Sequence, residues 1–251
     1  MKCAFAVVLV LVLACTKTNH NEVSAEEWGI ADYANVGLHV DRPWAPDDYT
    51  IAARVLEQQT AGHRERLPRF HGEKSGVLFT KLVTDLPDDG SAPVQERFTA
   101  HFTRGEALNA ISKLYVESAY ATPSREWIEL MGASLREAVV LARMSDAFLA
   151  SLGPDDPRRD VRLGGLAKMK QGYGGMLLGG LLVGDQTRVP EDDRVAMLTH
   201  VTAALPTLFP FCASETQRNI RDVITKQVAA FPAGKLHDAI VAAQQKLPNW
   251  N

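Results

Sequence analysis

The chain has 251 residues, a formal net charge of −3 and 46% hydrophobic residues. No basic stripe or tail stands out, so composition and charge argue against nucleic acid as a partner. About 205 residues follow position 46, enough for one domain that buries on the order of 70% of its unfolded surface.

The first fourteen residues are typical of a secretory signal peptide. Lys2 supplies the positive n-region, and Ala4 to Ala14 form an apolar segment of 11 residues. Eleven helical residues reach roughly 16 Å, about half of a ~30 Å hydrocarbon core, so this segment is too short for a stable transmembrane helix. We therefore expect it to be removed after export.

The end of this leader carries a possible lipidation site. The run Val12-Leu13-Ala14-Cys15 resembles the lipobox of bacterial lipoproteins, although Val12 and Leu13 differ from the commonest residues of that motif. The resemblance covers the leader alone and implies that Cys15 is acylated with diacylglycerol and palmitate and becomes the first residue. Because Thr16 is not aspartate, it also implies sorting to the outer rather than the inner membrane, and we expect the domain on the periplasmic face. Two or three acyl chains, at ~0.8 kcal/mol per buried methylene, make a stable anchor. The alternative is an ordinary secretory signal cleaved elsewhere.

Cysteine usage limits how the exported domain can be stabilised. Cys3 leaves with the signal and Cys15 would carry lipid, so Cys212 is the only cysteine left for the domain. An intrachain disulfide cannot then form, and stability must come from the core. The predicted organisation is a signal peptide at 1–14, a lipidated N-terminus and tether at 15–46, and an α-helical domain at 47–251.

Apolar residues at helical spacing run through the domain. The acidic pair Asp47-Asp48 predicts a helix start, and Gly62 predicts the end of that helix. Further starts are predicted at a Thr103/Glu106 capping box, at Thr122-Pro123, after Pro157, at Val189-Pro190 and at a Ser214/Gln217 capping box. A last stripe runs from Leu236 to Leu247. We predict an all-α or mainly α fold, a single irregular bundle of about six to eight helices.

The segment 76–102 leaves an alternative open. Residues 76–84 fit either the helical or the strand period, and Val94, Phe98, Ala100 and Phe102 alternate as a strand would. A short β-hairpin over 76–102 is therefore the alternative to helix. Because a hairpin without a partner sheet is marginal, we favour helix for the first run.

A glycine-rich run, Gln171 to Gly184, carries no charge. It lacks the Gly-Lys-Ser/Thr of a phosphate loop and follows no strand, which excludes that use. We predict that helices pack closely against four of its glycines, since small residues let backbones approach. These are Gly175, Gly179, Gly180 and Gly184.

Catalytic motifs are sparse. Glu117-Ser118 resembles the Glu-Ser of soluble lytic transglycosylases, which implies that Glu117 would act first as acid and then as base on a glycosidic bond. The match covers residues 116–120, and the rest of that family's motif is absent. His200 with His237-Asp238 resembles part of the ligand set of metal-dependent phosphohydrolases, but no aspartate follows as fourth ligand. Cys212 has no base that the sequence identifies. We assign no catalytic, cofactor-binding or metal-binding residue.

These observations predict an outer-membrane-anchored bacterial lipoprotein whose helical domain binds or scaffolds a protein partner of the cell envelope. Whether the chain is an enzyme stays open, with a non-catalytic role preferred. The alternative is a peptidoglycan-cleaving enzyme, similar to lytic transglycosylases, that uses Glu117. The expected partners are the membrane, through acyl chains on Cys15, and an envelope protein, with no cofactor and no nucleic acid.

Overall fold

A computed structural model of the chain describes residues 28–61, 63–116, 123–157 and 159–248. Within these ranges the chain forms nine α-helices and no β-strand, which confirms the predicted all-α fold. The helices are α1 Ile30–Asn35, α2 Pro46–Thr60, α3 Gly76–Val83, α4 Val94–Leu114, α5 Arg125–Ser151, α6 Arg159–Val183, α7 Glu191–Leu208, α8 Ser214–Ala230 and α9 Lys235–Lys246. Short 3-10 helices lie at Arg64–Arg66 and Phe209–Phe211.

The segment 76–102 forms α3 and the first part of α4, so the hairpin alternative is wrong. The buried residues of α4 recur every three or four positions, as Phe98, His101, Arg104, Leu108 and Ile111. Two of these five are polar, so the apolar residues alone do not show the helical period, and the alternation of Phe98, Ala100 and Phe102 indicated a strand instead. The predicted capping box at Thr103 is also wrong, because that residue lies in the middle of α4.

At the starts of α2 and α5, a side-chain oxygen accepts a hydrogen bond from the backbone. The backbone N–H of Ala45 donates to the Asp48 carboxylate at 2.7 Å, which fixes the start of α2. At α5, Trp127 N–H donates to the Ser124 hydroxyl at 3.3 Å. The capping box predicted at Ser214 does not form: Ala213 precedes α8, and the Gln217 amide donates instead to two carbonyls of the preceding turn.

Helix α5 is the centre of the fold. It contributes Leu135 to a core formed with α6 to α9 and Ala133 to a core formed with α1 to α4. Near its end, Phe148 belongs to a third cluster with residues of α4 and α6. Helix α5 therefore packs against neighbouring helices on several of its sides.

The domain also includes part of the segment predicted as tether. Tyr33, Leu38 and Trp44 are buried in the core formed by α1 to α4. The Tyr33 hydroxyl donates to the carbonyl of Arg66 at 2.9 Å, and Trp44 Nε1 donates to the carbonyl of His39 at 2.6 Å. Both polar groups are satisfied by backbone, so this segment packs as domain structure from residue 28 onwards.

The glycine-rich run lies in α6 except for Gly184, which directly follows that helix, and only part of the run packs as predicted. A Cβ added at Gly180 would lie 2.4 Å from Val201 Cγ2, and one at Gly184 would lie 3.2 Å from Gln227 Nε2. The prediction is wrong for Gly175 and Gly179, where no described atom lies within 4 Å of an added Cβ. Those two positions lie on the outward face of α6. Among the described helices, none has both the length and the apolar character needed to cross a membrane.

Candidate functional site: an apolar groove beside a buried ionic cluster

An open groove of about 660 Å³ lies between the first halves of α4 and α6. Its floor is aromatic: Phe98 of α4 stacks on Phe148 of α5, with ring centroids 4.1 Å apart and planes 16° apart. Phe102 stands on the α4 wall, and Leu166 and Met169 stand on the α6 wall. The surface is therefore mainly apolar and accessible from outside.

The groove exists because the first half of α6 stands away from the rest of the bundle. Between residues 159 and 172, Leu166 is the one buried residue. Val161 and Leu163 are exposed on this half of the helix, and Phe102 across the groove is 40% exposed. Gly165 lines the α6 wall and adds no side chain, which leaves the groove wide. Of the three exposed apolar residues, Phe102 lines the groove and the other two lie outside its lining.

A smaller pocket of about 300 Å³ adjoins the groove, and we call it the polar pocket because half of its lining residues are ionisable. The two cavities share Pro46, Glu96 and Ala100 in their walls. The polar pocket is lined further by Asp88, Asp89, Arg97 and His101. An occupant of the groove would therefore have apolar side chains beneath it and ionisable groups beside it.

Behind the polar pocket, α4 and α5 are joined by buried charges. The Glu137 carboxylate of α5 accepts a hydrogen bond from Arg104 and pairs through its other oxygen with His101 Nδ1. Arg104 has no solvent exposure, and Glu137 has 3%. The Arg104 guanidinium also donates to the Thr84 carbonyl at 2.7 Å and lies 5.0 Å from the ring centre of Tyr49. This network holds the α4 wall in place.

The outer face of His101 meets the polar pocket. Its Nε2 lies 3.6 Å from a carboxylate oxygen of Asp88, beyond hydrogen-bond distance. Arg97 donates to both Asp88 oxygens at 2.6 Å, and this pairing is the main reason that the pKa of Asp88 falls to about 2. Asp88 is thus ionised and already paired at neutral pH.

The pairing of His101 with Glu137 can be compared with the pairs found in catalytic sites. A carboxylate that orients a histidine is the supporting half of a nucleophile-activating site, so a hydroxyl or thiol is needed next to the histidine. None of the described residues lining the polar pocket carries a hydroxyl or thiol. Among the described residues there is also no group of three or more His, Cys, Asp or Glu side chains able to hold a metal ion.

Those catalytic and metal-binding candidates from the sequence that the structure describes lie outside the groove and the polar pocket. Cys15 and Glu117 fall outside the described residues. His200 Nε2 lies 3.4 Å from Glu129, and His237 lies 3.8 Å from its neighbour Asp238.

Cys212 is a buried free thiol whose Sγ lies 3.5 Å from the Leu208 carbonyl oxygen. Burial raises the pKa of this thiol to about 11, so little thiolate is present at neutral pH. We infer that it is a packing residue.

Sequence reasoning missed the groove and its ionic support. The sequence did carry one signal for the ionic cluster. His101 and Arg104 occupy the spacing of the buried face of α4, where a polar residue needs a buried partner. That partner, Glu137, is 33 residues from Arg104 in the chain. No spacing rule connects positions that far apart.

No protein-family model matches the chain, and comparisons with curated proteins and with solved structures found no match. Fold alone does not identify function. The chemistry of the groove therefore has to carry the functional conclusion.

Proposed function

We propose that this chain is an outer-membrane-anchored bacterial lipoprotein whose helical domain binds an envelope protein in the groove between α4 and α6. The observation that carries the proposal is the groove itself, with two helical walls and the stacked rings of Phe98 and Phe148 as its floor. This is the geometry in which an amphipathic helix places its apolar face between two helices.

The dimensions favour a helical occupant. The α4 wall runs from Gln95 to Thr103, and the α6 wall runs from Arg162 to Met169. At 1.5 Å per residue these walls are about 12 Å and about 10 Å long, which matches helix anchors at positions i, i+3 or i+4, and i+7. Sites for small molecules usually enclose most of their ligand, whereas this groove leaves the Phe102 side chain substantially exposed.

The groove can be blocked by one substitution with a close control. An added Cβ at Gly165 meets no described atom within 4 Å, and the same holds at Gly164. Gly165 lines the groove and Gly164 does not. Gly165→Leu should therefore fill the groove and leave the fold intact, whereas Gly164→Leu should leave the groove open.

The test uses the tethered protein as bait for membrane extracts. A protein partner should be recovered with the unmodified chain and with Gly164→Leu, and lost with Gly165→Leu. Recovery of the same proteins with all three baits would refute the groove as the binding site.

The lipid anchor is tested separately by mass spectrometry of the N-terminus. We expect a mature chain that begins at acylated Cys15, and Cys15→Ser should release the domain or leave the signal uncleaved. An unmodified terminus at any other residue would refute the anchor.

A further inference from the structure

We propose that the groove selects a basic amphipathic helix, with lysine or arginine beside its apolar face. This inference rests on the proposed function and adds the chemistry of the partner. Its basis is the charge around the groove, because an apolar floor fixes the position of a helix and the rim charges decide which helix is accepted.

The acidic side of the groove is formed by helix starts and the adjoining loop. Asp47 in the first turn of α2 and Glu96 in the first turn of α4 line the groove, and both are exposed. Asp88 and Asp89 line the polar pocket that adjoins it. Four carboxylates thus surround the region where the two cavities meet.

The cationic groups of the same region already have anionic partners. Arg97 is paired through two of its nitrogens with Asp88. The Arg162 guanidinium lies 3.6 Å from Asp156 and 5.8 Å from the ring centre of Phe148.

The carboxylates of the groove rim are different. Neither Asp47 nor Glu96 forms a hydrogen bond or ion pair through its carboxylate with any other described side chain. The groove therefore presents unpaired negative charge beside its apolar floor. A partner with lysine or arginine next to its apolar anchors complements that charge. An acidic helix or an anionic lipid surface would be repelled by it.

The apolar lining of the groove and its charged rim should contribute differently to binding. Exposed ion pairs are individually weak and are screened by salt, so the apolar contacts with Phe102 and the rest of the groove lining should supply most of the affinity. The rim should supply selectivity between helices of opposite charge, and this selectivity should fall as salt rises.

The experiment uses the full chain and two stapled 15-residue helical peptides with fluorescent labels. Both peptides carry leucine at positions i, i+4 and i+7, and the flanking positions are lysine in one peptide and glutamate in the other. Fluorescence anisotropy at low salt should show the lysine peptide binding at least about tenfold more tightly. Gly165→Leu should abolish binding of the lysine peptide, and Gly164→Leu should not.

Charge variants test the rim directly. The double variant Asp47→Asn, Glu96→Gln should weaken binding of the lysine peptide by roughly three- to tenfold and should not weaken binding of the glutamate peptide. The matched control is Glu106→Gln, an exposed carboxylate on the same helix that lies outside the groove lining. It should change neither affinity.

The outcomes separate this inference from the proposed function. If both peptides bind equally and Gly165→Leu blocks both, the groove is a helix site and the basic partner is refuted. If the lysine peptide does not bind, or binds equally well to Gly165→Leu, the inference is overturned. Thermal unfolding of each variant confirms that a lost affinity is not a lost fold.

Discussion

Alanine at Gly180 should destabilise the domain, whereas alanine at the adjacent Gly179 should stabilise it. Both residues lie inside α6, where replacing glycine by alanine favours the helix by roughly 0.5–1 kcal/mol. At Gly179 an added Cβ meets no described atom within 4 Å, so this gain should appear in full.

At Gly180 the added Cβ would lie 2.4 Å from Val201 Cγ2 and 3.3 Å from Met197 Sδ. Val201 is fully buried, and a β-branched side chain has little freedom to turn away. Overpacking of this kind costs roughly 1–3 kcal/mol, which exceeds the propensity gain. We therefore expect a net loss of about 0.5–2 kcal/mol, and Gly180→Leu should cost more.

Thermal unfolding measures both substitutions. For a domain of this size, each kcal/mol corresponds to about 2–4 °C in Tm, so the two variants should move in opposite directions by a few degrees. Adding Val201→Ala to Gly180→Ala should give a loss smaller than the sum of the single losses, because the clash is removed. A Tm raised by Gly180→Ala as much as by Gly179→Ala would refute the packing of α7 against α6.

Three further outcomes follow from the buried and paired groups. Glu137→Gln should cost roughly 3–5 kcal/mol in urea unfolding, because it removes the buried carboxylate that pairs with Arg104 and leaves only the exposed carboxylate of Asp85, 4.0 Å away, whereas Lys235→Gln, in an ion pair exposed on both sides, should leave stability nearly unchanged. The pKa of Asp88 is lowered from 3.8 to about 2, so its contribution to stability is present above pH 3.8 and is lost as the pH falls through 2. Asp88→Asn should therefore make stability less dependent on pH in that window, and an unchanged profile would contradict the pairing with Arg97. Cys212 should react with a thiol reagent at pH 8 only after urea unfolding, since burial raises its pKa to about 11, and rapid labelling of the folded chain would show that the thiol is accessible.

The sequence alone was sufficient for the class of fold. Apolar residues at helical spacing and the acidic start of α2 are local signals, and both describe helices that the structure contains. The leader likewise led to a prediction about Cys15 from local sequence, and that prediction awaits its experiment. Local pattern failed at α4, where buried His101 and Arg104 interrupt the apolar period.

Tertiary structure decided which groups meet. The glycines of α6 are alike in sequence, but Gly180 contacts Val201 while Gly179 lies on the outward face, because only one side of the helix meets α7. In the same way, Glu137 pairs with Arg104 because α4 and α5 pack together, and the groove opens because the first half of α6 buries only Leu166. These features depend on contacts between residues distant in the chain, and burial of those contacts, not local propensity, sets their energies.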